Sequence, residues 1–372
     1  MSAGRPKAPG APDDPPSLAR PAAARRPTIR DVSRLAGVSR MTVSRVLSDP
    51  DLVLPATRAR VQQAIGDLGY VLDRAAGSLA SRRTGFIALI VPTLTNANFS
   101  TVAHGLTDVL KGAGFHLLIS YTDYDLAEEE TQIRNLLARR PEAIVLTGSA
   151  HTRAASTLLL RADIPVIAVA DLPQRPIEHA VGFSNYQAGR MAAQYLLRMG
   201  FRRIGAVGGQ SAGDIIDHRG EERMRGFEDE LALAGVAGDL VLRQGAPPVS
   251  FAHGAAGLAT LLARDPGLEA VFAVSDLAAV GVIMECQRRG MAVPDDLSVM
   301  GFGDFEIARE VVPALTTLHV DFRELGRRTG RLILDLLDGR HVGAPAMIDV
   351  GLDLLERRSV AAKGEGVRSS PA

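Results

Sequence analysis

The chain has 372 residues, 46% of them hydrophobic, with 37 glycines and no tryptophan. That length exceeds one compact core and implies two or three domains of ordinary globular α/β type. No stretch approaches the roughly 18 unbroken apolar residues of a membrane span, and residues 1–26 lack the apolar centre of a signal peptide, so a cytoplasmic protein with no membrane partner is expected. The single cysteine, Cys286, excludes an internal disulfide and reads as a buried small hydrophobe, and without a Cys/His cluster neither a metal nor another cofactor is expected. Formal net charge is zero, but residues 1–84 hold 14 Arg/Lys against 7 Asp/Glu and the remainder 28 against 35. Basic charge gathered at one end suits a phosphate-binding surface, although a solvated basic tail would look the same.

Residues 1–26, rich in Pro, Ala and Arg, read as a disordered leader. From Thr28 to Tyr70 the pattern is that of three short helices. Thr28, followed three residues later by Asp31, caps the first, whose inner stripe is Ile29, Val32 and Ala36. Gly37 permits a tight turn, Val38 plugs the core beneath it, and Ser39 caps a second helix. That helix sets Met41, Thr42, Ser44 and Arg45 outward among inward Val43, Val46 and Leu47. A third helix, from Pro55 to Gly69, packs Val61, Ile65 and Leu68 underneath. Such side chains at the start of a second helix are placed to reach base edges in a major groove.

After Gly85 short apolar runs alternate with longer amphipathic stretches. The runs include 86–91, 115–120, 143–147, 166–170, 204–207, 270–274 and 297–301, and the helical stretches 99–113, 128–139, 186–199, 221–234 and 277–289. Unbroken apolar strands separated by helices predict parallel sheets covered on both faces, and their number predicts two doubly wound lobes with a cleft at the carboxyl ends of the strands.

The gap-free run Thr28-Ile-Arg-Asp-Val-Ser-Arg-Leu-Ala-Gly-Val-Ser-Arg-Met-Thr-Val-Ser-Arg-Val-Leu47 strongly resembles the headpiece of the LacI family of repressors. The resemblance covers roughly 340 of the 372 residues and implies a helix-turn-helix domain (27–72), a hinge helix (73–84), a two-lobed body like periplasmic sugar-binding proteins (85–358) and a flexible tail (359–372). It implies that Ser39, Arg40, Met41 and Arg45 read bases, with Thr28, Thr42 and Ser44 holding phosphates. It implies further that the hinge, through Ala76 and Leu79, enters the minor groove, Leu79 acting as a wedge. Gly77 departs from the family's common arginine and weakens the isolated hinge helix by about 1 kcal/mol relative to alanine.

Within the body the landmarks are 91–99, 272–281, 293–302 and 313–319. The family's three chain crossings between lobes are expected near 182, 312 and 340, with helix 322–338 returning to the first lobe. Transferred by position, the effector contacts are Asn98, Phe99, Asp171, Arg223, Ser275 and Asp276. Ser275 stands where an asparagine is frequent, and Gly303 where many members carry an aspartate. Losing a carboxylate while keeping an arginine favours an anionic ligand.

Segments 40–45, 146–152, 180–185 and 284–288 resemble the gluconate-utilisation repressors within the family, which adds His151 and Thr152 to the expected contacts. On this reading Arg223 or His151 meets a carboxylate and the others meet hydroxyls, although His151 also reads as a loop cap and Asp276 as a plain helix start. The expected protein is a homodimeric repressor of sugar-acid utilisation genes, not an enzyme, that gluconate or a related acid releases from operator DNA. A different sugar or sugar phosphate is the first alternative. A solute-binding protein lacks the headpiece, and the glycine cluster Gly205-Ala-Val-Gly-Gly209 lacks the spacing and acidic partner of a dinucleotide enzyme.

Overall fold

The computed structural model describes residues 25–71, 84–341 and 343–363, and the chain divides into two compact units between Arg82 and Arg83. The leader before Arg25, the hinge positions Ala76 and Leu79 and the tail beyond Lys363 lie outside the described residues.

The first unit consists of α1 (Ile29–Ala36), α2 (Arg40–Ser48) and α3 (Pro55–Leu68). Helix α1 starts where the Asp31 carboxylate accepts both the Thr28 N–H, at 2.9 Å, and its hydroxyl, at 2.6 Å. These bonds hold the Asp31 carboxyl below its ordinary pKa. The helix ends at Gly37, whose φ of +64° suits glycine although open space surrounds it. Ser39 Oγ accepts from Thr42 N at 3.1 Å and starts α2. Val32, Ala36, Val43, Val46, Val61 and Ala64 form the core. Ala64 takes the buried place in α3, and Ile65 and Leu68, expected underneath, pack at its margin.

The second unit carries two six-stranded sheets. In the first, β1 (Phe86–Val91), β2 (His116–Tyr121), β3 (Ala143–Thr147), β4 (Val166–Val169), β5 (His179–Gly182) and β11 (Met347–Asp349) run parallel in the order β11-β5-β4-β3-β1-β2. The second contains β6 (Ile204–Gly208), β7 (Val241–Arg243), β8 (Ala270–Ala273), β9 (Ser298–Phe302), β10 (Thr316–His319) and β12 (Asp353–Leu355). Its order is β12-β10-β9-β8-β6-β7, antiparallel only at β12. Central strands such as Ile87–Val91 and Ile204–Gly208 are buried throughout, as double coverage by helices requires.

The first lobe carries α4 (Ala97–Leu110), α5 (Leu126–Leu137), α6 (Arg153–Leu160) and α12 (Phe322–Leu337). The second carries α7 (Asn185–Arg198), α8 (His218–Leu233), α9 (Phe251–Arg264), α10 (Asp276–Arg288) and α11 (Glu306–Glu310). Three helix pairs touch backbone to backbone through reciprocal glycines. A Cβ on Gly105 of α4 would fall 2.1 Å from Arg323 O of α12, one on Gly189 of α7 1.9 Å from Arg223 O of α8, and one on Gly254 of α9 1.9 Å from Ala278 O of α10. Gly326, Gly226 and Gly281 meet the partner helices in the same way. Helices in such contact move together.

The first crossing, after β5 at Gly182, falls where expected. The second follows β10 rather than lying near 312, because Thr316–Leu318 pair with Met300–Phe302 and keep that stretch in the second lobe. The third lies between β11 and β12 rather than near 340, because Met347–Asp349 still pair with β5. The body also runs past 358. Ser359 is fully buried, its hydroxyl donating to Val299 O and accepting from Thr316 N, and Lys363 N donates to Met199 O, so 359–363 belong to the second lobe and not to a flexible tail. Cys286 lies in the second lobe's core, where burial pushes its thiol up to about 11. Among the described residues no helix is long and apolar enough to cross a membrane.

Candidate functional site

Two surfaces carry the residues singled out in the sequence. On the first unit, Ser39, Arg40, Met41, Ser44 and Arg45 are exposed along one face of α2, opposite buried Val43 and Val46. Met41 is 69% exposed, which is unusual for so apolar a side chain and fits contact with an apolar group such as a thymine methyl. Among the described residues no ion-pair partner faces Arg40 or Arg45, so both guanidiniums are available to an anion or a base edge. Thr42 is half-buried, its hydroxyl 2.9 Å from Ser39 Oγ, and Thr28 is engaged by Asp31. Those two hydroxyls therefore serve the helix starts first.

In the second unit a cavity lies at the carboxyl ends of both sheets and contains about 640 Å³ of space, part of it open to solvent. The first lobe contributes Thr95, Asn96, Asn98, Phe99, Tyr124 and Ala170, and the second Asp217, Arg219, Arg223, Pro248, Val249, Val274, Ser275, Leu277, Phe302 and Phe305. Phe183 and Phe322, at the first two crossings, pack edge to face with centroids 6.0 Å apart and form its base.

Arg223 and Arg219 sit one turn apart on α8, each over a phenylalanine ring. The Arg223 guanidinium carbon is 4.3 Å from the Phe302 centroid, and that of Arg219 is 5.1 Å from Phe99 of the opposite lobe. Arg219 also donates to Thr147 O at 3.0 Å across the cleft. Burial pushes the Arg223 guanidinium down to about 10, still charged at neutral pH, and its Nε has no hydrogen-bond partner. A buried, unpaired donor of a charged group is expensive unless a ligand completes it. Asp217, the carboxylate lining the cavity, caps α8 through Gly220 N at 3.1 Å. Burial and Asp217 together hold the Tyr124 hydroxyl well above its ordinary pKa, so it stays protonated. Main-chain bonds from Ile216 N to Tyr124 O, 2.9 Å, and from Leu126 N to Asp214 O, 3.0 Å, join the lobes beside the cavity.

The structure brings Asn98, Phe99, Arg223 and Ser275 together on this cavity and places the other four expected contacts off its wall. His151 Nδ1 lies 2.7 Å from Glu129 Oε1, and Thr152 caps α6 while donating to Glu130. Asp171 accepts from Ser149 and Asn185. Asp276, fully buried, accepts from Thr317 Oγ1 at 2.6 Å and Phe305 N at 2.8 Å. Each of these side chains is engaged by protein partners. Tyr124, Asp217 and Arg219, absent from the sequence reading, take their places. Gly303 lies close to Asn98 of the opposite lobe.

Comparison with known proteins agrees with this geometry. Residues 28–73 match the bacterial regulatory proteins of the lacI family, and residues 193–360 match the periplasmic binding protein-like domain. The chain is 35% identical to the HTH-type transcriptional regulator GntR of Pseudomonas aeruginosa, over 90% of its own length and 96% of that protein's. It matches the structure of a LacI family transcriptional regulator from Silicibacter pomeroyi at 32% identity and a TM-score of 0.83, covering 90% and 99% of the two chains. It also matches a complex of the transcriptional regulator CelR with cellobiose at 30% identity and a TM-score of 0.64, covering 90% and 100%. The chain belongs to the lacI family of bacterial regulatory proteins, as a DNA-binding transcriptional repressor rather than an enzyme.

Proposed function

We propose that the protein is a homodimeric repressor of sugar-acid utilisation genes, released from its operator when gluconate or a closely related aldonate enters the interlobe cavity. The observation that carries this reading is the buried Arg223 guanidinium, with Nε unpartnered at the wall of that cavity. A carboxylate accepting from it would complete a charge-assisted pair worth more than a neutral hydrogen bond. Asn96, Asn98, Ser275 and the protonated Tyr124 offer the neutral groups that an open polyhydroxy chain needs. The likeness to a regulator named GntR supports the same choice.

On the operator, Ser39, Arg40, Met41 and Arg45 read bases, Thr28, Thr42 and Ser44 face phosphates, and the segment with Ala76 and Leu79 enters the minor groove. Ligand binding favours one lobe arrangement over the other, and the difference in affinity sets the release. A second reading, a neutral glycan, is favoured by the phenylalanines 99, 183, 302, 305 and 322 that line the cavity and by the relative solved with cellobiose.

Fluorescence anisotropy of the full chain on its own promoter, titrated with gluconate, related aldonates and cellobiose, separates the two. Release by an aldonate alone supports the first reading. Release by cellobiose alone replaces it with the second, and gluconate tightening the complex reverses the sign from induction to corepression.

A further inference from the structure

Asn185 is the first residue of α7, just past the first crossing, and is 1% exposed. Its carboxamide is bonded at both ends. Oδ1 accepts from Arg223 Nη1 at 2.5 Å, and Nδ2 donates to Ala170 O at 3.1 Å and to Asp171 Oδ1 at 3.3 Å. The other oxygen of Asp171 accepts from Ser149 Oγ at 2.5 Å. This fixes the amide's orientation, because the flipped form would set its NH₂ against a guanidinium and its oxygen against two acceptors.

The two ends of the chain of bonds belong to different lobes, and each is rigidly held. Gly189 and Gly226 place α7 and α8 in backbone contact, with Arg223 O one of the touching atoms, so Asn185 and Arg223 travel as one body with the second lobe. On the other side, a Cβ on Gly182 would fall 2.3 Å from Asp171 O, and Ala170 is held at a φ of +59°, so the corner after β4 is clamped to β5 in the first lobe. A rotation between the lobes here must strain or break the bonds from Asn185 Nδ2.

We propose that Asn185 is a positioning residue that couples the ligand-facing Arg223 of the second lobe to the Ala170–Asp171 corner of the first, so that capture of a ligand and the angle between lobes are set together. Asn185 is absent from the cavity wall and acts only through Arg223 and Asp171. The ligand side of this inference rests on the reading that an effector meets Arg223; the lobe side does not.

The test reverses the polarity of the link in the full-length protein. N185D keeps a partner for Arg223 but sets a second carboxylate against Asp171 and Ala170 O. N185D/D171N returns a donor, now on residue 171. Amide hydrogen exchange without ligand reads lobe closure at Leu126 and Ile216, whose N–H groups bond across the cleft. The expected result is exchange about tenfold faster at those two amides in N185D, unchanged exchange in β8, and recovery to within about threefold of the parent in the double variant.

N185D exchanging like the parent at Leu126 and Ile216 overturns the inference. Should N185D fail to fold, the double variant decides: a folded, protected double supports the link, and a folded double with fast cross-cleft exchange overturns it. A gluconate titration with and without operator forms a second arm. A parent protein indifferent to gluconate defeats the effector reading alone and leaves the exchange result standing.

Discussion

Gly303, on the loop after β9, faces Asn98 of the opposite lobe so closely that a Cβ at position 303 would lie 2.9 Å from Asn98 Nδ2 and 2.7 Å from the Phe305 ring. Its φ of +123° is a conformation that L side chains rarely adopt. The position is thus constrained twice, by its own backbone and by a residue across the cavity. An aspartate at this position is admitted only if the loop or Asn98 moves.

G303A is expected to lower unfolding free energy by about 2 kcal/mol, from the backbone conformation alone. It should also weaken ligand binding, because Asn98 or Phe305 must retreat. Urea denaturation and calorimetric titration of the same preparations check both. A variant as stable as the parent would show that the loop relaxes freely.

The exposed face of α2 makes a separate prediction about DNA. Arg45 is exposed and stands free of ion pairs among the described residues, so truncating it breaks no ion pair. R45A should lose about 1–3 kcal/mol of affinity for the cognate operator and relax the preference for one base pair, with a smaller loss on unrelated DNA. Anisotropy on both duplexes over a range of salt measures it. An equal loss on both, with the salt slope reduced by about one, would assign Arg45 to a phosphate instead.

The headpiece and the α/β body were legible in the sequence because their signals are local: the Thr28–Asp31 capping pair, Gly37, and unbroken apolar runs such as 86–91. The strands β5, β7, β10, β11 and β12 are not among the runs named from the sequence, and their place is fixed by pairing with distant neighbours. The second and third crossings went astray for the same reason. In the cleft, position alone carried Asn98, Phe99, Arg223 and Ser275 to the cavity, whereas His151, Thr152, Asp171 and Asp276 are satisfied by partners far along the chain. Arg219 left a usable sign, since residues 219 and 223 share one face of a helix at i, i+4. Tyr124 left none: its place depends on a loop with positive φ at Asp123 and Tyr124.

Replacing Arg223 by methionine tests the anion reading most directly. R223M retains length and contact with the Phe302 ring but removes every donor. Gluconate affinity should fall at least about 30-fold, the loss usual when one partner of a buried charged pair is deleted. Operator affinity without ligand should stay within about threefold, giving a repressor that binds DNA but is not induced. R223K should not restore ligand binding, since a lysine lacks the planar fork. Undiminished gluconate binding by R223M would move the carboxylate to Arg219.

Asp276 predicts a dependence on pH. Burial pushes its carboxyl up to about 7, opposed by the bonds from Thr317 and Phe305 N–H. In the unfolded chain the same group titrates near the usual carboxylate value of about 4. Between these values the folded protein holds a proton that the unfolded chain has released, so every rise in pH across that window favours unfolding, and the loss is complete above about 7. D276N can keep both contacts, its oxygen accepting from Phe305 N–H and its NH₂ donating to the Thr317 hydroxyl, and it has no proton to lose. Relative to the parent, D276N should therefore gain stability steadily as pH rises from about 4 to 7 and keep a constant difference beyond. Urea denaturation of both proteins at pH 5, 6, 7 and 8 measures that difference; a gap that stays level over the whole range would mean that Asp276 is ionised in the fold throughout.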